Sequence, residues 1–342
     1  MRGAIIHGAG DVRVEERPDP TLVEPTDAVI RTVATCVCGS DLWRYRGLSA
    51  VPRPTPIGHE YVGVVEQVGT AVTTVSPGDF VVGGFLHSDN TCPVCRKGMH
   101  SACLHGGGYD GCQAERIRIP DADGTLIATP GQPDADLVPS LLALSDVMAT
   151  GWHAAVSAGV GPGSSAVVVG DGAVGLSGVL AAAQLGATTI IAMSRHADRQ
   201  KVATEFGATH IVAERGEAGL DQVRELTEGI GADAVLECVG TEEARLQAVA
   251  AARPGGMIGL VGVPHGDLPT DQLFWANKGI RGGPAPVRAY LPHLMDLVWS
   301  RRIDPGKVFD LTLPLSETAE AYRAMDERRA IKVLLQPDGA RA

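Results

Sequence analysis

The feature that most constrains the fold is a glycine-rich turn placed between a predicted strand and a predicted helix. Residues 166–169 form an apolar run, and a helical pattern over 173–185 begins within the turn. The turn has the G-x-G-x-x-G pattern, and its residues are Gly170, Asp171, Gly172, Ala173, Val174 and Gly175. Glycines at these places permit a tight turn, close approach of backbone N–H groups to a pyrophosphate, and close helix packing. The turn therefore predicts a dinucleotide-binding parallel sheet.

The sequence changes its pattern near residue 140, which indicates two domains in a chain of 342 residues. Before that point, short Val- and Ile-rich runs alternate with Gly and Pro, as in an irregular all-β barrel. After it, strand and helix patterns alternate, as in a parallel doubly wound sheet. The predicted strands of the second part are 166–169, 188–193, 234–236 and 257–261, and its predicted helices are 173–185, 197–206 and 242–252. We therefore predict an α/β chain with one β domain and one parallel-sheet domain.

Three separated segments carry the side chains of a candidate catalytic zinc site. Cys38 is followed by a turn-forming segment, His59 follows a proline-rich one, and Asp146 lies where the pattern changes. A thiolate, an imidazole and a carboxylate are typical ligands of catalytic zinc, which keeps a position open for water or substrate. Cys36 is more typical of a small buried hydrophobic residue. Together with the glycine turn, these residues predict metal-assisted redox chemistry.

The end of the second predicted strand favours NADP(H) over NAD(H). An NAD-binding fold usually has an acidic residue there that accepts a hydrogen bond from the ribose 2′-hydroxyl. This chain has Ser194 and Arg195 instead, with Arg199 following. A hydroxyl and guanidinium groups bind a 2′-phosphate through charge-assisted hydrogen bonds. The alternative is that both arginines are solvated residues at the start of a helix.

The charge balance excludes some classes of partner. The formal net charge is -11, which argues against a nucleic-acid or anionic-membrane surface and favours a small-molecule substrate. The first residues contain no apolar secretion segment, and no run approaches the ~20 apolar residues of a membrane span. The seven cysteines are more typical of reduced, metal-binding thiols than of a disulfide framework. These features predict a cytoplasmic protein.

Further motifs make the chain resemble the zinc-dependent alcohol dehydrogenases of the medium-chain dehydrogenase/reductase superfamily, nearly from end to end. They include 39–41, 58–60, 75–81, a cysteine-rich lobe and 278–283. The resemblance implies a GroES-like β-barrel catalytic domain formed by 1–148 and 286–342, and a Rossmann domain formed by 149–285. It also implies a homodimer or homotetramer.

The resemblance assigns roles around the catalytic metal. Cys38 and His59 match the first two zinc ligands, and Asp146 stands where the third ligand is often a cysteine. Glu60 matches a carboxylate beside the metal that can exchange with water. Asp41 matches the acceptor that orients the histidine ligand.

Other positions are implied to serve the substrate and the cofactor. Ser40 matches the hydroxyl that passes a proton to or from the substrate oxygen. Trp43 replaces a histidine that often relays this proton, so the proton leaves by another route or Trp43 has become a wall of the substrate pocket; Phe85 is a second apolar wall. Thr150 and Cys238 are predicted to line the cofactor groove.

The cysteine-rich lobe resembles the structural-zinc lobe of the family, with one departure. Cys92, Cys95 and Cys103 fill three of its four cysteine positions, and Asp89 stands in the first. Three thiolates and a carboxylate can still complete a tetrahedron. Two alternatives are that His87 replaces Asp89, or that the lobe has lost its metal.

The function predicted from the sequence is hydride transfer between NADP(H) and a small, apolar alcohol, aldehyde or ketone, assisted by zinc. Bound zinc lowers the pKa of an alcohol or polarises a carbonyl. One alternative is a zinc-free quinone or enoyl reductase of the same superfamily. Another is a non-enzymatic NADPH-binding scaffold.

Overall fold

The computed structural model describes residues 1–337, which divide into two compact units. The first unit contains Met1–Asp146 and the chain from Pro286 onward, and the second contains Val147–Ala285. The predicted domains, a catalytic one formed by 1–148 and 286–342 and a nucleotide-binding one formed by 149–285, remain a prediction.

The first unit is built mainly from short strands. Up to residue 146 its strands are β1 (Arg2–Gly8), β2 (Asp11–Glu16), β3 (Ala28–Cys36), β4 (Thr55–Pro56), β5 (Tyr61–Val68), β6 (Phe80–Gly83), β7 (Leu86–His87), β8 (Gly107–Gly108), β9 (Arg116–Ile119) and β10 (Leu126–Ala128). Its helices there are α1 (Asp41–Tyr45), α2 (Ala122–Thr125) and α3 (Val138–Ala143). Gly and Pro residues are frequent between these elements, as the sequence predicts.

The second unit alternates strands and helices. Its helices are α4 (Val147–Ser157), α5 (Ala173–Gln184), α6 (Ala197–Glu205), α7 (Gly216–Glu225), α8 (Glu242–Ala251) and α9 (Thr270–Trp275). Its strands are β11 (Ser165–Val169), β12 (Thr189–Met193), β13 (His210–Val212), β14 (Ala232–Glu237), β15 (Ala252–Leu260) and β16 (Gly279–Gly282). The strands form one parallel sheet in the order β13-β12-β11-β14-β15-β16. This is the predicted doubly wound sheet.

The chain then returns to the first unit through α10 (Val287–Trp299), β17 (Phe309–Pro314), α11 (Thr318–Asp326) and β18 (Lys332–Gln336). Strand β18 lies between β17 and β3, in a sheet with the order β10-β6-β5-β3-β18-β17 and with β9 also on β3. Leu334 pairs with Cys36, so β18 runs beside the end of β3 that leads to Cys38. Residues from both sections share a core that includes Val37, Ile57 and Tyr322.

The α/β class and the parallel sheet are confirmed, and the differences from the sequence predictions are local. Strand β15 begins at Ala252, directly after α8, rather than at 257. Its first part is irregular, because Gly255 has a φ of +71° and the pairing with β14 shifts register before Met257. Helix α10 starts at Val287 and includes Pro292. Elements β13, α7, α9 and β16 are additional to the predicted ones.

No helix within residues 1–337 is long and apolar enough to cross a membrane.

Candidate active site

Two neighbouring strands position the first residues of the candidate metal centre. Strands β3 and β5 are antiparallel, and Thr35 near the end of β3 pairs with Tyr61 at the start of β5. The Thr35 hydroxyl also donates to the Glu60 carbonyl over 2.6 Å. Cys38 and His59 are therefore brought side by side, although 20 residues separate them in sequence.

The backbone before His59 requires a glycine. Gly58 has a φ of +97°, and a Cβ there would lie 2.5 Å from Cγ of Gln113. A side chain at this place would both strain the backbone and push the neighbouring segment away. The turn that aims His59 therefore depends on Gly58.

Three donor atoms converge in this region. Asp146 Oδ2 lies 3.4 Å from Cys38 Sγ and 3.4 Å from His59 Nε2. One ligand atom from each of Cys38, His59, Glu60 and Asp146 lies within 4.8 Å of the others. The structure thus brings together the three predicted catalytic ligands and the predicted exchange ligand.

This donor set fits a zinc ion. Ligand atoms about 2.0–2.3 Å from a tetrahedral zinc lie roughly 3.3–3.8 Å apart, which matches the separations around Asp146. Burial, together with Asp146 and Glu60, raises the pKa of the Cys38 thiol to about 11. A cation would lower that pKa, because it stabilises the thiolate and offsets the repulsion among the acids.

Two carboxylates next to the ligands are buried and only partly satisfied. Asp41 Oδ2 accepts from the Cys38 backbone N–H over 3.1 Å, and its Oδ1 lies 3.5 Å from His59 Nδ1. Glu60 Oε1 accepts from Lys332 Nζ over 2.7 Å, while its Oε2 is buried without a hydrogen bond among the described residues. Asp41 is thus placed to orient His59, and Glu60 keeps one oxygen free near the donor set.

Sequence reasoning missed Lys332, which lies on β18. Its side chain is 1% exposed, donates to Glu60, and also donates to the Val37 carbonyl over 3.1 Å. A lysine in a C-terminal strand gives no sequence signal for this contact, because only the pairing of β18 with β3 brings it here.

The other predicted residues of this region lie around the turn after Cys38. Ser40 is exposed at the start of α1, and its side chain makes no capping hydrogen bond. Trp43 is half-buried in α1, and the Phe85 ring centre lies 6.2 Å from that of His59. Ser40 therefore has a free hydroxyl, and Phe85 presents an apolar surface beside the donor set.

The predicted residues of the lobe also form a cluster. Ligand atoms of Asp89, Cys92, Cys95 and Cys103 all lie within 4.8 Å of one another. Cys92 Sγ is 3.9 Å from Cys103 Sγ, and Cys103 Sγ is 3.3 Å from Asp89 Oδ1. Hydrogen bonding from the Leu104 backbone lowers the pKa of Cys92 to about 7, so this thiol forms a thiolate readily. The four side chains fit a closed zinc site.

Asp89, rather than His87, is the fourth member of this cluster. His87 Nδ1 lies 2.7 Å from Asp121 Oδ2, which gives that imidazole another partner. Asp89 Oδ1 accepts from the backbone N–H groups of Thr91 and Cys92, and its Oδ2 lies 2.6 Å from His105 Nδ1. Burial raises the pKa of Asp89, but these hydrogen bonds outweigh it and hold that pKa well below its usual value. The carboxylate is therefore charged and fixed towards the thiols.

The second unit contains the glycine turn between β11 and α5. Gly170 has a φ of +115°, and a Cβ at Gly175 would lie 1.9 Å from the Gly170 carbonyl oxygen. A Cβ at Gly172 would meet nothing within 4 Å, so the space before the start of α5 is open. This cradle fits the pyrophosphate of a dinucleotide, which the turn residues Ala173 and Val174 would approach through their backbone.

Of two further predicted cofactor residues, Cys238 lies close to this turn. Cys238 follows β14, and a Cβ built at Gly170 would lie 3.6 Å from its Cβ. Thr150 is buried in α4, next to Gly151, whose close approach to Gly178 packs α4 on α5. The position of Cys238 beside the turn agrees with its predicted role, and the roles of both residues remain predictions.

The end of β12 has no acidic residue of its own, but the carboxylate of Asp171 in the glycine turn lies beside it. Ser194 Oγ donates to Asp171 Oδ2 over 2.9 Å, and Arg199 Nη1 lies 3.2 Å from Asp171 Oδ1. Arg195 is exposed. No sequence signal indicates this role of Asp171, because the residue lies in the glycine turn and not after the second strand.

Comparisons with known proteins agree with both halves of this description. The alcohol dehydrogenase GroES-like domain family matches residues 24–130, and the zinc-binding dehydrogenase family matches residues 173–299. Together the matches include three of the candidate metal-site residues, Cys38, His59 and Glu60, as well as the whole lobe cluster.

Relatives align over nearly the whole chain. A probable zinc-binding alcohol dehydrogenase of Mycobacterium tuberculosis is 36% identical, over 99% of this chain and 89% of its own. Zinc-type alcohol dehydrogenase B of Aspergillus flavus is 33% identical, over 98% of this chain and 81% of its own. The solved structure of an alcohol dehydrogenase from Thermus sp. ATN1 is 33% identical with a TM-score of 0.90, covering 98% of this chain and 100% of that one. With its paired donor clusters and its nucleotide turn, the chain belongs to the zinc-dependent alcohol dehydrogenases of the medium-chain dehydrogenase/reductase superfamily.

Proposed function

We propose that this alcohol dehydrogenase transfers a hydride between NADP(H) and a small, apolar alcohol, aldehyde or ketone at a catalytic zinc. The observation that carries the proposal is the convergence of Cys38, His59 and Asp146 beside a Glu60 oxygen that has no hydrogen bond among the described residues. A zinc-free reductase or a binding scaffold would have no use for this buried and mutually repelling set of groups.

When bound, zinc supplies a Lewis acid that polarises the substrate oxygen and lowers the pKa of an alcohol. The residues of the chain hold and surround it. Cys38, His59 and Asp146 supply the donor atoms, and Asp41 faces His59 Nδ1 and so keeps Nε2 turned towards them. Glu60 would hold a free oxygen close enough to serve as a further ligand.

Ser40 moves the substrate proton in this proposal. Its hydroxyl is exposed and makes no capping hydrogen bond, so both its donor and its acceptor positions are available. An indole does not transfer protons near neutral pH, and Trp43 is therefore assigned to the substrate pocket together with Phe85. Two aromatic walls favour an apolar substrate.

The nicotinamide, when bound, accepts or donates the hydride. Gly170, Gly172 and Gly175 leave room for its pyrophosphate, and Thr150 and Cys238 are assigned to the groove beside them. Ser194, Arg195 and Arg199 support NADP(H), because two guanidinium groups and a hydroxyl lie where the fold recognises the ribose 2′-position.

The assembly we propose is a homodimer or homotetramer in the cytoplasm. Phe274 and Trp275 are 73% and 81% exposed, which is unusual for large apolar side chains and is consistent with contact between copies. All seven cysteines are free thiols, and the two clusters need reduced thiols as ligands. Size-exclusion chromatography with light scattering tests the assembly.

Zinc analysis combined with a turnover assay tests the function. We expect two zinc ions per chain and consumption of NADPH with a panel of apolar aldehydes and ketones. Ser40→Ala should lower kcat about 10²-fold or more while zinc content stays the same. The matched control is Ser49→Ala, an exposed serine of the same segment that we expect to be neutral. Zinc-loaded protein without turnover on any carbonyl compound, or a fully active Ser40→Ala variant, contradicts the mechanism.

A further inference from the structure

The glycine turn carries a carboxylate that the dinucleotide cradle does not need. Asp171 is the residue between Gly170 and Gly172, and its side chain is 10% exposed. Its two oxygens are used differently: Oδ2 accepts from the Ser194 hydroxyl over 2.9 Å, and Oδ1 lies 3.2 Å from Arg199 Nη1. Arg199 also donates to the Asp171 carbonyl over 3.3 Å. The carboxylate is therefore fixed between two of the residues assigned to the 2′-position of the cofactor ribose.

The sheet explains how Asp171 reaches this place. Strands β11 and β12 are parallel neighbours, and Val169 at the end of β11 pairs with Met193 at the end of β12. Asp171 and Ser194 therefore both project from the same edge of the sheet, just beyond the strand ends, where folds of this type bind ligands. The acidic residue that is missing at the end of β12 is supplied by the turn that follows the neighbouring strand β11.

This arrangement alters the electrostatics of the predicted phosphate site. The ion pair with Asp171 offsets the charge of Arg199, and the Ser194 proton is directed at a carboxylate rather than at a ligand. A 2′-phosphate would meet a negative charge at short range, whereas a ribose 2′-hydroxyl would find an acceptor. Arg195 makes no hydrogen bond or ion pair among residues 1–337, so it is the cation left available for a phosphate.

We propose that Asp171 is the specificity-determining residue that limits the preference for NADP(H) and allows the enzyme to use NAD(H) as well. The inference rests on the proposed function, since it assigns a role within the same cofactor site. Asp171 accepts from a ribose 2′-hydroxyl and opposes a 2′-phosphate, and the arginines act in the opposite direction. The cofactor choice is therefore a balance between Asp171 and the pair formed by Arg195 and Arg199.

Binding of two nucleotide fragments to the zinc-loaded protein tests this balance without turnover. Isothermal titration calorimetry with adenosine 2′,5′-bisphosphate and with adenosine 5′-monophosphate gives two dissociation constants, whose ratio measures discrimination at the 2′-position. Asp171→Asn should tighten the bisphosphate about tenfold and weaken the monophosphate a few-fold. Asp171→Ala, which also removes the acceptor, should shift the ratio in the same direction and weaken the monophosphate further.

Asp198→Asn is the matched control. Asp198 is an exposed carboxylate in the first turn of α6, between Arg195 and Arg199 in sequence, so its removal changes the net charge by the same amount. We expect it to change the ratio about twofold or less, because an exposed charge is screened. Circular dichroism of each variant verifies the fold.

The outcomes separate this inference from the function on which it rests. Three results would overturn the role of Asp171 without contradicting the proposed dehydrogenase activity. They are an unchanged ratio in both Asp171 variants, an equal weakening of both fragments, and an equal shift in Asp198→Asn. If the wild-type protein binds neither these fragments nor NADPH and NADH, the proposed cofactor site itself is wrong.

Discussion

The two acid-and-thiol clusters of the first unit are similar in composition but differ in how the chain builds them. Cys38 and Asp146 are 108 positions apart, and they meet only because β3, β5 and the segment after α3 are folded together. Asp89 and Cys103 are 14 positions apart, and the lobe folds back on itself between them. The first cluster is a product of the fold, whereas the second holds its own segment in place.

The two clusters also differ in how deeply the residues around them are buried. Around the first cluster, Asp41, Glu60 and Lys332 are almost completely buried. In the lobe, Asp89 is held by backbone N–H groups within three residues and by His105, whose side chain is 70% exposed. Loss of metal from the first cluster should therefore abolish catalysis, and loss of metal from the second should destabilise the lobe.

The largest effect is expected from the first cluster. Cys38→Ala removes a donor atom from the proposed catalytic site and should lower kcat/KM by about 10³-fold or more, with zinc content falling from two to one per chain. Cys36→Ala removes a buried thiol two residues away and should keep both zinc ions and most activity. Steady-state kinetics with elemental analysis measures both, and equal losses in the two variants would contradict the assignment.

The next effect concerns the buried ion pair. Lys332→Met leaves Glu60 buried and charged without a partner, and should lower the free energy of unfolding by about 3–5 kcal/mol. Adding Glu60→Gln should recover part of this loss, because it removes the unpaired charge. Lys201→Met, at an exposed lysine of the second unit, is the control and should be nearly neutral. Denaturant titration gives the three values; no loss for Lys332→Met would mean that water reaches Glu60.

Loss of the lobe zinc should lower the free energy of unfolding and leave turnover nearly unchanged. Cys95→Ala should release one zinc and lower the free energy of unfolding by about 2–3 kcal/mol, while kcat stays within about threefold. Limited proteolysis should then cleave between residues 86 and 104. Cys112→Ala, at a buried thiol outside both clusters, should keep the lobe zinc. If turnover fell in proportion to the lobe zinc, the proposed difference between a catalytic first cluster and a structural second cluster would be wrong.

The smallest effect measures how much of the stability lost in acid comes from an ordinary carboxylate pair rather than from release of metal. Hydrogen bonds from the Ser165 backbone and from Arg253 lower the pKa of Asp233 to about 2. The stabilisation is present above the unfolded pKa near 3.9 and is lost as pH falls towards 2. Asp233→Asn should therefore reduce the stability difference between pH 5 and pH 2.5 by less than about 1 kcal/mol, since the side chain is 40% exposed. Thermal melts of this variant and of Asp267→Asn, an exposed control, measure it; equal pH profiles would contradict the role of Asp233.

The sequence predicts local features and the residues whose spacing is characteristic. The turn at Gly170, the strands around it and both sets of donor residues follow from periodicity and motif, because each depends on neighbours in the chain. The choice of Asp89 over His87 required the Asp121 contact of His87. Motif spacing alone cannot distinguish two ligands so close in sequence.

The contacts of Lys332 and Asp171 could not be predicted from the sequence. Each acts through a side chain presented by a neighbouring strand: β18 brings Lys332 to Glu60, and β11 brings Asp171 to Ser194. Strand neighbours in a sheet are set by the tertiary fold rather than by local pattern. Residues of this kind are found only once the order of the strands is known.

The position of β18 between β17 and β3 has a consequence for biosynthesis. A ribosome makes β3, His59, Glu60 and Asp146 long before residues 332–336 leave its exit tunnel. Until then Glu60 lacks the ammonium group that balances it, and the edge of β3 near Cys36 lacks its partner strand. The first unit is therefore completed only after the whole of the second unit has been synthesised.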